Sequence, residues 1–394
     1  MSKVDRWLLP EGISELLPDD ALQVETLRRR LVDVFQRWGY EYVITPMIEF
    51  TDSLLTGSGG DIDLLTFKLT DQLTGKTLGI RADITPQAAR MDAHSLKRSG
   101  ANRLCYAGHV VHTRPQVALG SRTPIQVGVE LFGEPGLDAD IEVISLLLEV
   151  LSLVGMPKQY LDIGHVGVFR ALTEAAGFSK EQENTLFLLL QAKAATEIKD
   201  WVTTHVREPK LQHWFLELPK LSGSAGVLDR ARDVFADAPA EVMVALDELS
   251  SIADVVQPRY PDAQLYFDLS ELRGYHYHTG IVFGAFSPGV GNAIAKGGRY
   301  DHIGEAFGRA RPATGFAADL SVICRTLNVE TAPPNPGVFA PASTNAAQWQ
   351  EIQSLREAGE RVVSGLSIQD APYDHQNCDR ILIETDTGFQ VKAL

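Results

Sequence analysis

The first clear amphipathic pattern along the chain predicts a helix from about Asp20 to Trp38. Leu27, Leu31 and Val34 recur at helical spacing, and most charged side chains of this segment lie off their stripe. Gly39 follows directly and suits the left-handed conformation that ends many helices. The chain is therefore predicted to begin with one core-facing helix.

Alternation of apolar and polar positions then predicts strands, and turn residues separate them. Thr85-Pro86 is a helix start, with Thr85 as its cap and Pro86 in the first turn. The predicted extended segments are 40–49, a hairpin of 64–70 and 77–82 around Gly75, and strands at 103–112, 124–132, 264–269, 275–283 and 292–295. A further helix is predicted from Phe316 to Leu327.

The order of these patterns predicts an α+β fold in which a mostly helical segment is inserted between the strands of one sheet. Residues 156–262 are mostly helical in pattern, with one amphipathic helix at 181–199. Strands on both sides of this segment indicate one mostly antiparallel sheet, formed by residues 1–155 and 263–328. Residues 329–394 follow a proline-rich linker and are predicted to form a small α/β domain at the C-terminus.

Composition narrows the class of protein. A chain of 394 residues, 44% of them hydrophobic, can bury a large core, and its net charge of −15 argues against a broad nucleic-acid surface. Three widely spaced cysteines indicate reduced thiols in a cytoplasmic protein without a structural zinc. The most hydrophobic run, 141–154, is too short to cross a bilayer and contains two glutamates, so a soluble chain is expected.

The most informative strand is Ile125–Leu131. Its period of two places Gln126 and Glu130 on one polar face, and Gly128 leaves room between them for a ligand. The alternative is the solvent-facing side of an edge strand, which is the commoner place for glutamine and glutamate. The alternation alone leaves both interpretations open.

Other segments carry weaker candidates. His276 and His278 share a face of the predicted strand and could bind a metal, although no cysteine or HExxH pattern accompanies them. TGSGGD at 56–61 lacks the lysine of a P-loop, so a mobile loop near the pocket is the better prediction. ILIETDTG at 381–388 has some features of a phosphoribosyl pyrophosphate loop, but its last residues favour a hairpin turn.

Three segments together resemble the catalytic domain of histidyl-tRNA synthetase, a class II aminoacyl-tRNA synthetase. They are CYAGHVVHTRPQVALGSRTPIQVGVE at 105–130, ELRGYHYHTGIVF at 271–283 and GGRYDHIGEAFGRARPATGFAADLSV at 297–322. The resemblance implies the antiparallel sheet of that class, flanked by helices. It also implies that 40–49 corresponds to the family's dimer-forming first motif, and therefore self-association as a dimer.

The same resemblance implies a pocket for L-histidine. The matching positions are Asp83, Thr85, Gln126, Glu130, Arg273, Tyr277, His278 and Tyr300. Asp83 stands where the family has a glutamate for the ammonium group, Arg273 matches the arginine that contacts the carboxylate, and His278 replaces the second of two tyrosines. Carboxylates suit an ammonium or an imidazole N–H, and an arginine suits a carboxylate.

The ATP half of the resembling site is degraded. The second motif of the family supplies Phe-Arg-x-Glu, and here its arginine is His112 and its glutamate is Arg114. The third motif ends in an arginine, and here that position is Val322. Loss of one such transition-state contact costs about 10²–10³ in rate. On a strand, Arg114 would share the face of His112, so compensation by Arg114 remains an alternative.

A synthetase-like domain with a defective ATP site and a shortened C-terminus resembles the regulatory subunits of ATP phosphoribosyltransferase, which act in the first committed step of bacterial histidine biosynthesis. In that family the subunit has no catalysis and no cofactor of its own. It activates a short catalytic subunit, mediates feedback inhibition by histidine, and assembles as a hetero-octamer of four regulatory and four catalytic subunits.

Two rival functions remain. An active histidyl-tRNA synthetase predicts a basic C-terminus for tRNA, whereas residues 331–394 contain four Lys or Arg and eight Asp or Glu, a net charge of −4. We therefore expect no tRNA and no membrane among the partners. The second rival is a stand-alone histidine sensor or an amino-acid transferase with a modified adenylate site.

Overall fold

A computed structural model describes residues 7–56, 60–116, 120–156, 158–288, 291–327, 336–366 and 377–394. The chain divides into two compact units, residues 1–329 and 330–394. Most of the predicted linker, and residues 57–59 of the glycine-rich TGSGGD segment, lie outside the described residues. Among the described helices, none is long and apolar enough to cross a membrane.

The N-terminal part of the first unit confirms the predicted opening helix and the hairpin around Gly75. Its elements are α1 (Pro18–Arg37), β1 (Glu41–Tyr42), β2 (Ile48–Phe50), α2 (Thr51–Leu54), α3 (Gly60–Leu65), β3 (Phe67–Thr70), β4 (Thr77–Ile80), α4 (Thr85–Arg90), a π-helix (Met91–Leu96), β5 (Asn102–His109), β6 (Ile125–Phe132) and α5 (Leu137–Leu153).

The rest of this unit alternates strands with a block of helices. Its elements are β7 (Tyr160–His165), α6 (Val166–Ala175), α7 (Lys180–Gln191), α8 (Ala195–His205), α9 (Pro209–Glu217), a 3-10 turn (Leu218–Lys220), β8 (Ser222–Gly223), α10 (Gly226–Val234), α11 (Ala240–Arg259), β9 (Gln264–Asp268), β10 (Ile281–Phe286), β11 (Ala295–Arg299), a second 3-10 turn (Ile303–Phe307), β12 (Ala313–Asp319) and α12 (Leu320–Leu327).

One large mixed sheet organises the first unit. Its nine strands run in the order β1-β5-β6-β12-β11-β10-β7-β9-β8, and only the β1–β5 and β7–β9 pairs are parallel. Helices α1, α5, α11 and α12 pack against it through a continuous apolar core. Strand β6 is hydrogen-bonded on both sides, so the edge-strand interpretation of Gln126 and Glu130 is wrong.

Several boundaries differ from the sequence prediction. Residues 316–319 are strand and not helix, because β12 lies between β6 and β11 and its backbone pairs with both. Residues 181–199 form parts of two helices, which are separated where Lys193 adopts a φ of 51°. Ile84 precedes α4 as its cap residue, so Thr85 is not the cap, and its hydroxyl instead contacts the Tyr106 hydroxyl.

The segment before β10 also differs. Residues 273–277 form a turn in which Gly274 has a φ of 65°, so His276 and His278 do not share a strand face. Strand β11 begins at Ala295, where the predicted segment 292–295 ends. Strand β7 belongs to the large sheet, and the helical block therefore begins at Val166, ten residues after the predicted boundary at 156.

The second unit is a small α/β fold. Its elements are β13 (Gly337–Ala340), α13 (Ala346–Glu357), β14 (Val362–Ser364), β15 (Cys378–Thr385) and β16 (Gly388–Ala393), and the sheet order is β14-β13-β15-β16. Val338, Ile352 and Leu382 are central to its core. Thr385 pairs with Gly388 across a tight hairpin, which confirms the turn interpretation of this segment.

Candidate functional site

A cavity of about 590 Å³ lies on one face of the large sheet. Directly paired residues of antiparallel strands share a face, so Gln126, Gly128 and Glu130 of β6 share theirs with their partners Asp319, Ala317 and Gly315 of β12. Gly315 and Ala317 line the floor of the cavity, whereas the Tyr106 hydroxyl lies against Gly128 and fills the space that the sequence predicted for a ligand there. A side chain at Gly315 would collide with the Glu130 carboxylate, so glycine is required there for Glu130 to occupy its position. The volume is typical of small-molecule sites.

Glu130 is the most buried acid of this cavity, with 1% of its surface exposed. Its Oε1 accepts a hydrogen bond of 2.9 Å from the Tyr106 hydroxyl, and its Oε2 accepts one from the Tyr300 hydroxyl. The Thr85 hydroxyl lies 3.1 Å from that of Tyr106 and extends the network. Burial raises the pKa of Glu130 well above its usual range. Burial thus favours the neutral form of this carboxyl, and a cationic group of a ligand beside it would favour the charged form.

Asp83 and Gln126 form the second polar pair. The Gln126 amide nitrogen donates to Asp83 Oδ1 at 2.7 Å, and its amide oxygen accepts from the Ile84 backbone N–H at 2.8 Å. The Thr85 backbone N–H also donates to Asp83, at 3.0 Å. These bonds hold the Asp83 carboxylate at the cavity wall, and no cationic side chain of the described residues pairs with it, which suits an ammonium group.

An aromatic wall closes the other side. The Tyr277 ring stacks on Tyr300 with centroids 5.0 Å apart, and the Tyr277 hydroxyl is buried without a partner among the described residues. His278 Nδ1 lies 3.1 Å from the Arg299 carbonyl oxygen, which can only accept, so Nδ1 carries the proton. Burial lowers the pKa of His278 to about 4, which keeps this ring neutral at pH 7. We call the cavity lining of Asp83, Gln126, Glu130, Tyr277, His278 and Tyr300 the amino-acid region.

Arg273 is not part of that lining, contrary to prediction. Its guanidinium donates to Glu271 Oε2 at 2.6 Å and lies 3.8 Å from an Asp162 oxygen. It also stacks on the Phe286 ring, with 5.0 Å between the guanidinium carbon and the ring centroid. These contacts hold Arg273 beyond the cavity wall, over Gly284 of β10. The other predicted histidine-binding residues, including Thr85, all line the cavity.

His112 and Val322 line the same cavity beside the amino-acid region. His112 Nε2 lies 2.9 Å from the Ala82 carbonyl oxygen, and only 5% of the residue's surface is exposed. It is therefore directed at the backbone. Arg114 is exposed, follows the end of β5 by five residues and does not line the cavity, so the strand geometry that would allow compensation is absent.

We call the lining formed by His112, Ser121, Asp319, Val322 and Arg325 the former phosphate region, after the two positions where the resemblance predicts the phosphate-binding arginines of the synthetases. Arg325 was not predicted. It lies on α12, three residues after Val322, and its positive charge acts on the Asp319 carboxylate. Two further residues were missed: Tyr106, which supports Glu130, and Lys296, which lines the cavity from β11. Tyr106 could have been found from the alternation of β5, where it pairs with Gly128.

No metal site accompanies these residues. Across the described ranges, no group of three or more His, Cys, Asp or Glu side chains is arranged to hold a metal ion. Cys105 and Cys324 are buried thiols that form no disulfide, and burial raises the pKa of Cys105 to about 12.

Two family models match the chain. Residues 12–323 match the model described as histidyl-tRNA synthetase, and residues 335–392 match the one described as ATP phosphoribosyltransferase subunit HisZ C-terminal domain. The chain is 64% identical to an ATP phosphoribosyltransferase regulatory subunit of Saccharophagus degradans, with 100% of both proteins covered. It is 55% identical to one of Cellvibrio japonicus, with 100% of this chain and 98% of that protein covered.

Solved structures give the same picture. An ATP phosphoribosyltransferase regulatory subunit/histidyl-tRNA synthetase from Bacillus halodurans superposes with a TM-score of 0.84 at 26% identity, covering 97% of this chain and 99% of that one. A histidyl-tRNA synthetase from a Nostoc species superposes with a TM-score of 0.79 at 20% identity, covering 98% and 97%. The predicted α+β, class II synthetase-like fold is confirmed.

Proposed function

The chain belongs to the family of ATP phosphoribosyltransferase regulatory subunits, and from this premise we propose that it activates a short catalytic subunit and makes that subunit sensitive to L-histidine. It has no reaction of its own in this proposal. Histidine binds in the amino-acid region as an allosteric ligand, and no cofactor takes part.

One observation carries the proposal: a single cavity combines the amino-acid region with a former phosphate region whose two arginine positions are His112 and Val322. The hydrogen bonds around Glu130 and Asp83 come from the chain's own side chains, Tyr106 and Gln126 among them. Such an arrangement favours binding of an amino acid, because little ordering is needed when it enters. The former phosphate region offers no equivalent support for adenylation.

The assembly is also part of the proposal. We expect four regulatory and four catalytic subunits, with the regulatory chains self-associating as dimers. The reduced cysteines support a cytoplasmic location. The net charge of −4 over residues 331–394 supports an assembly without tRNA.

Allosteric control requires histidine to bind more tightly to the inhibited assembly than to the active one. Couplings between sites are typically about 1–3 kcal/mol, and the same factor must appear when either ligand is titrated. In this proposal the loop that carries Tyr277 and His278 couples the cavity to the helical block. In the same loop, Tyr275 stacks on Phe187 of α7 with 5.5 Å between the ring centroids, and its hydroxyl donates to Glu183. Ligand contact at this loop therefore bears on the helical block.

The test is an assay of a short ATP phosphoribosyltransferase, alone and with this chain, across a histidine titration. We expect higher turnover with the wild-type chain and inhibition as histidine rises. With Glu130→Gln, activation should persist while inhibition shifts to higher histidine concentration. Glu305→Gln, at an exposed position, is the matched control. Absence of activation by the wild-type chain would refute the regulatory proposal, and unchanged inhibition with Glu130→Gln would refute the assigned pocket.

A further inference from the structure

Lys296 lies in a row of residues that crosses the floor of the cavity. On β11 it pairs with Ala317 of β12, which in turn pairs with Gly128 of β6. Paired positions share a sheet face, so the Lys296 side chain extends on the same face as Gln126 and Glu130. It is one of the cavity-lining residues. Two strand spacings, about 10 Å, separate it from Gly128.

The row continues to Gly284, which lies beneath Arg273, the residue that the sequence predicted to contact the ligand carboxylate. Lys296 also pairs with Gly284 of β10, and the Arg273 guanidinium lies above Gly284, where a Cβ atom would be 2.8 Å from its Nη1. Arg273 is thus one strand farther from Glu130 than Lys296 is. Its guanidinium and its backbone N–H both donate to Glu271, at 2.6 and 2.9 Å. Glu271 therefore holds one terminal nitrogen of the guanidinium and fixes the side chain in this position.

The ammonium of Lys296 is free to take that role. Within the ranges that the structure describes, it has no carboxylate within 4.0 Å. The amino-acid region itself contains two carboxyl groups, Asp83 and Glu130, and the rings that accompany them carry no charge at pH 7. A zwitterionic amino acid in this region therefore needs a positive group from the neighbouring wall for its carboxylate.

We propose that Lys296 binds the α-carboxylate of the amino acid held in this cavity, and that Arg273 stands behind it in a closed pair with Glu271. The inference rests on the proposed histidine pocket and names the carboxylate-reading residue within it. Arg325 is the competing cation, but it lies on α12 next to Asp319, which faces Gln126 from the former phosphate region.

The experiment is calorimetry on the full-length chain with two ligands, L-histidine and L-histidinol, which lacks the carboxylate. Lys296→Met removes the charge and keeps most of the side-chain length, Lys296→Arg keeps a charge, and Arg325→Met is the matched control from the same cavity. We expect Lys296→Met to weaken L-histidine binding at least about tenfold, which is about 1.4 kcal/mol, and to leave L-histidinol binding unchanged. Lys296→Arg should restore most of the loss, and Arg325→Met should change neither ligand.

The outcomes separate two failures. If wild-type chain binds L-histidine but Lys296→Met binds it equally well, or if Arg325→Met shows the selective loss instead, the assignment of Lys296 is wrong while the pocket stands. Equal losses for both ligands would show a structural effect and also overturn the assignment, and thermal unfolding of each variant checks this independently. If wild-type chain binds neither ligand, the proposed histidine pocket itself is wrong.

Discussion

The amino-acid region and the former phosphate region share one cavity and differ in how their polar groups are held. Around Glu130, hydroxyl groups of Tyr106 and Tyr300 form an internal network, and Asp83 is held by Gln126. In the other region, His112 bonds a backbone carbonyl through one nitrogen, and its second nitrogen is buried without a partner in the described part of the chain. One region is preorganised for a ligand, and the other is not.

Under the proposed function, this difference lets a binding protein keep the framework of a synthetase without its catalysis. A preorganised set of acceptors lowers the ordering cost of binding. Catalysis of adenylation needs a second set, aimed at the charge that develops on phosphate. The two sets stand on different elements, β6 and the 81–85 segment for the first, and residues 112 and 322 for the second. The second can therefore be lost without disturbing the first.

The largest expected effect concerns activity. Histidine-dependent ATP–pyrophosphate exchange should stay at background, because each missing arginine costs about 10²–10³ in rate. The measurement uses purified chain and an active histidyl-tRNA synthetase as positive control. Exchange clearly above background, abolished by Arg325→Met, would show that Arg325 restores the phosphate grip and that the two regions are not functionally different.

The next effect concerns the rigidity of the amino-acid region. Arg299 precedes Tyr300, its carbonyl oxygen accepts from His278, and its guanidinium pairs with buried Asp140 at 2.6 Å. Asp140→Asn leaves that guanidinium buried and poorly compensated, which should lower the free energy of unfolding by about 3–5 kcal/mol. Denaturant unfolding measures it, with exposed Asp138→Asn from the same helix as control. Equal stability of the two variants would contradict a supporting role for this pair.

A smaller effect is expected on binding. Glu130→Gln should weaken L-histidine about tenfold to a hundredfold, because a hydrogen bond to a charged group contributes about 1.5–3 kcal/mol. Calorimetry on the wild-type and variant chains measures the change. The same titration with His112→Gln should show little loss, because His112 is directed at the backbone. A larger loss at His112 than at Glu130 would reverse the comparison between the two regions.

The smallest effect is a pH dependence of stability without ligand. Burial raises the pKa of Glu130 in the folded chain above its unfolded value, which is about 4.3. Below about pH 4.3, Glu130 is protonated in both the folded and the unfolded chain and does not destabilise the fold. As the pH rises toward the folded pKa, ionisation favours the unfolded chain, and the free energy of unfolding falls. Glu130→Gln does not titrate, so its unfolding temperature should exceed that of wild type more at pH 8 than at pH 4. A gap that is the same at both pH values would show that Glu130 carries no such penalty.

Sequence alone predicted the elements that have strong local signals. The opening helix has a regular stripe and a glycine after its last turn, and β6 alternates strictly, so both are confirmed. Residues 316–319 were assigned to a helix because the three apolar residues Phe316, Ala317 and Ala318 in a row carry no period of their own. Their strand pairing comes from β6 and β11, which are distant in sequence.

The site shows the same limit. Glu130 and Gln126 could be predicted because their spacing on one strand determines their common face. Lys296 could not, since its place depends on pairing across β12, and Arg273 was misplaced because only the folded chain brings Asp162 and Phe286 to it. The common face of residues on one strand can be predicted from their spacing. Proximity between residues on different strands depends on the pairing of those strands, which the sequence alone does not give.

The floor of small residues has a consequence for how regulation could be lost. Ala317 lines the cavity from β12, and a bulky side chain at this position would extend into the volume that a ligand requires. The longer side chain of Ala317→Leu, for example, would occupy part of the cavity and exclude a ligand from it. Such changes leave the surfaces of the protein untouched. Under the proposed function, a single substitution at the floor would therefore give a subunit that still assembles but no longer responds to histidine. Few single substitutions elsewhere would restore the response once the floor is filled.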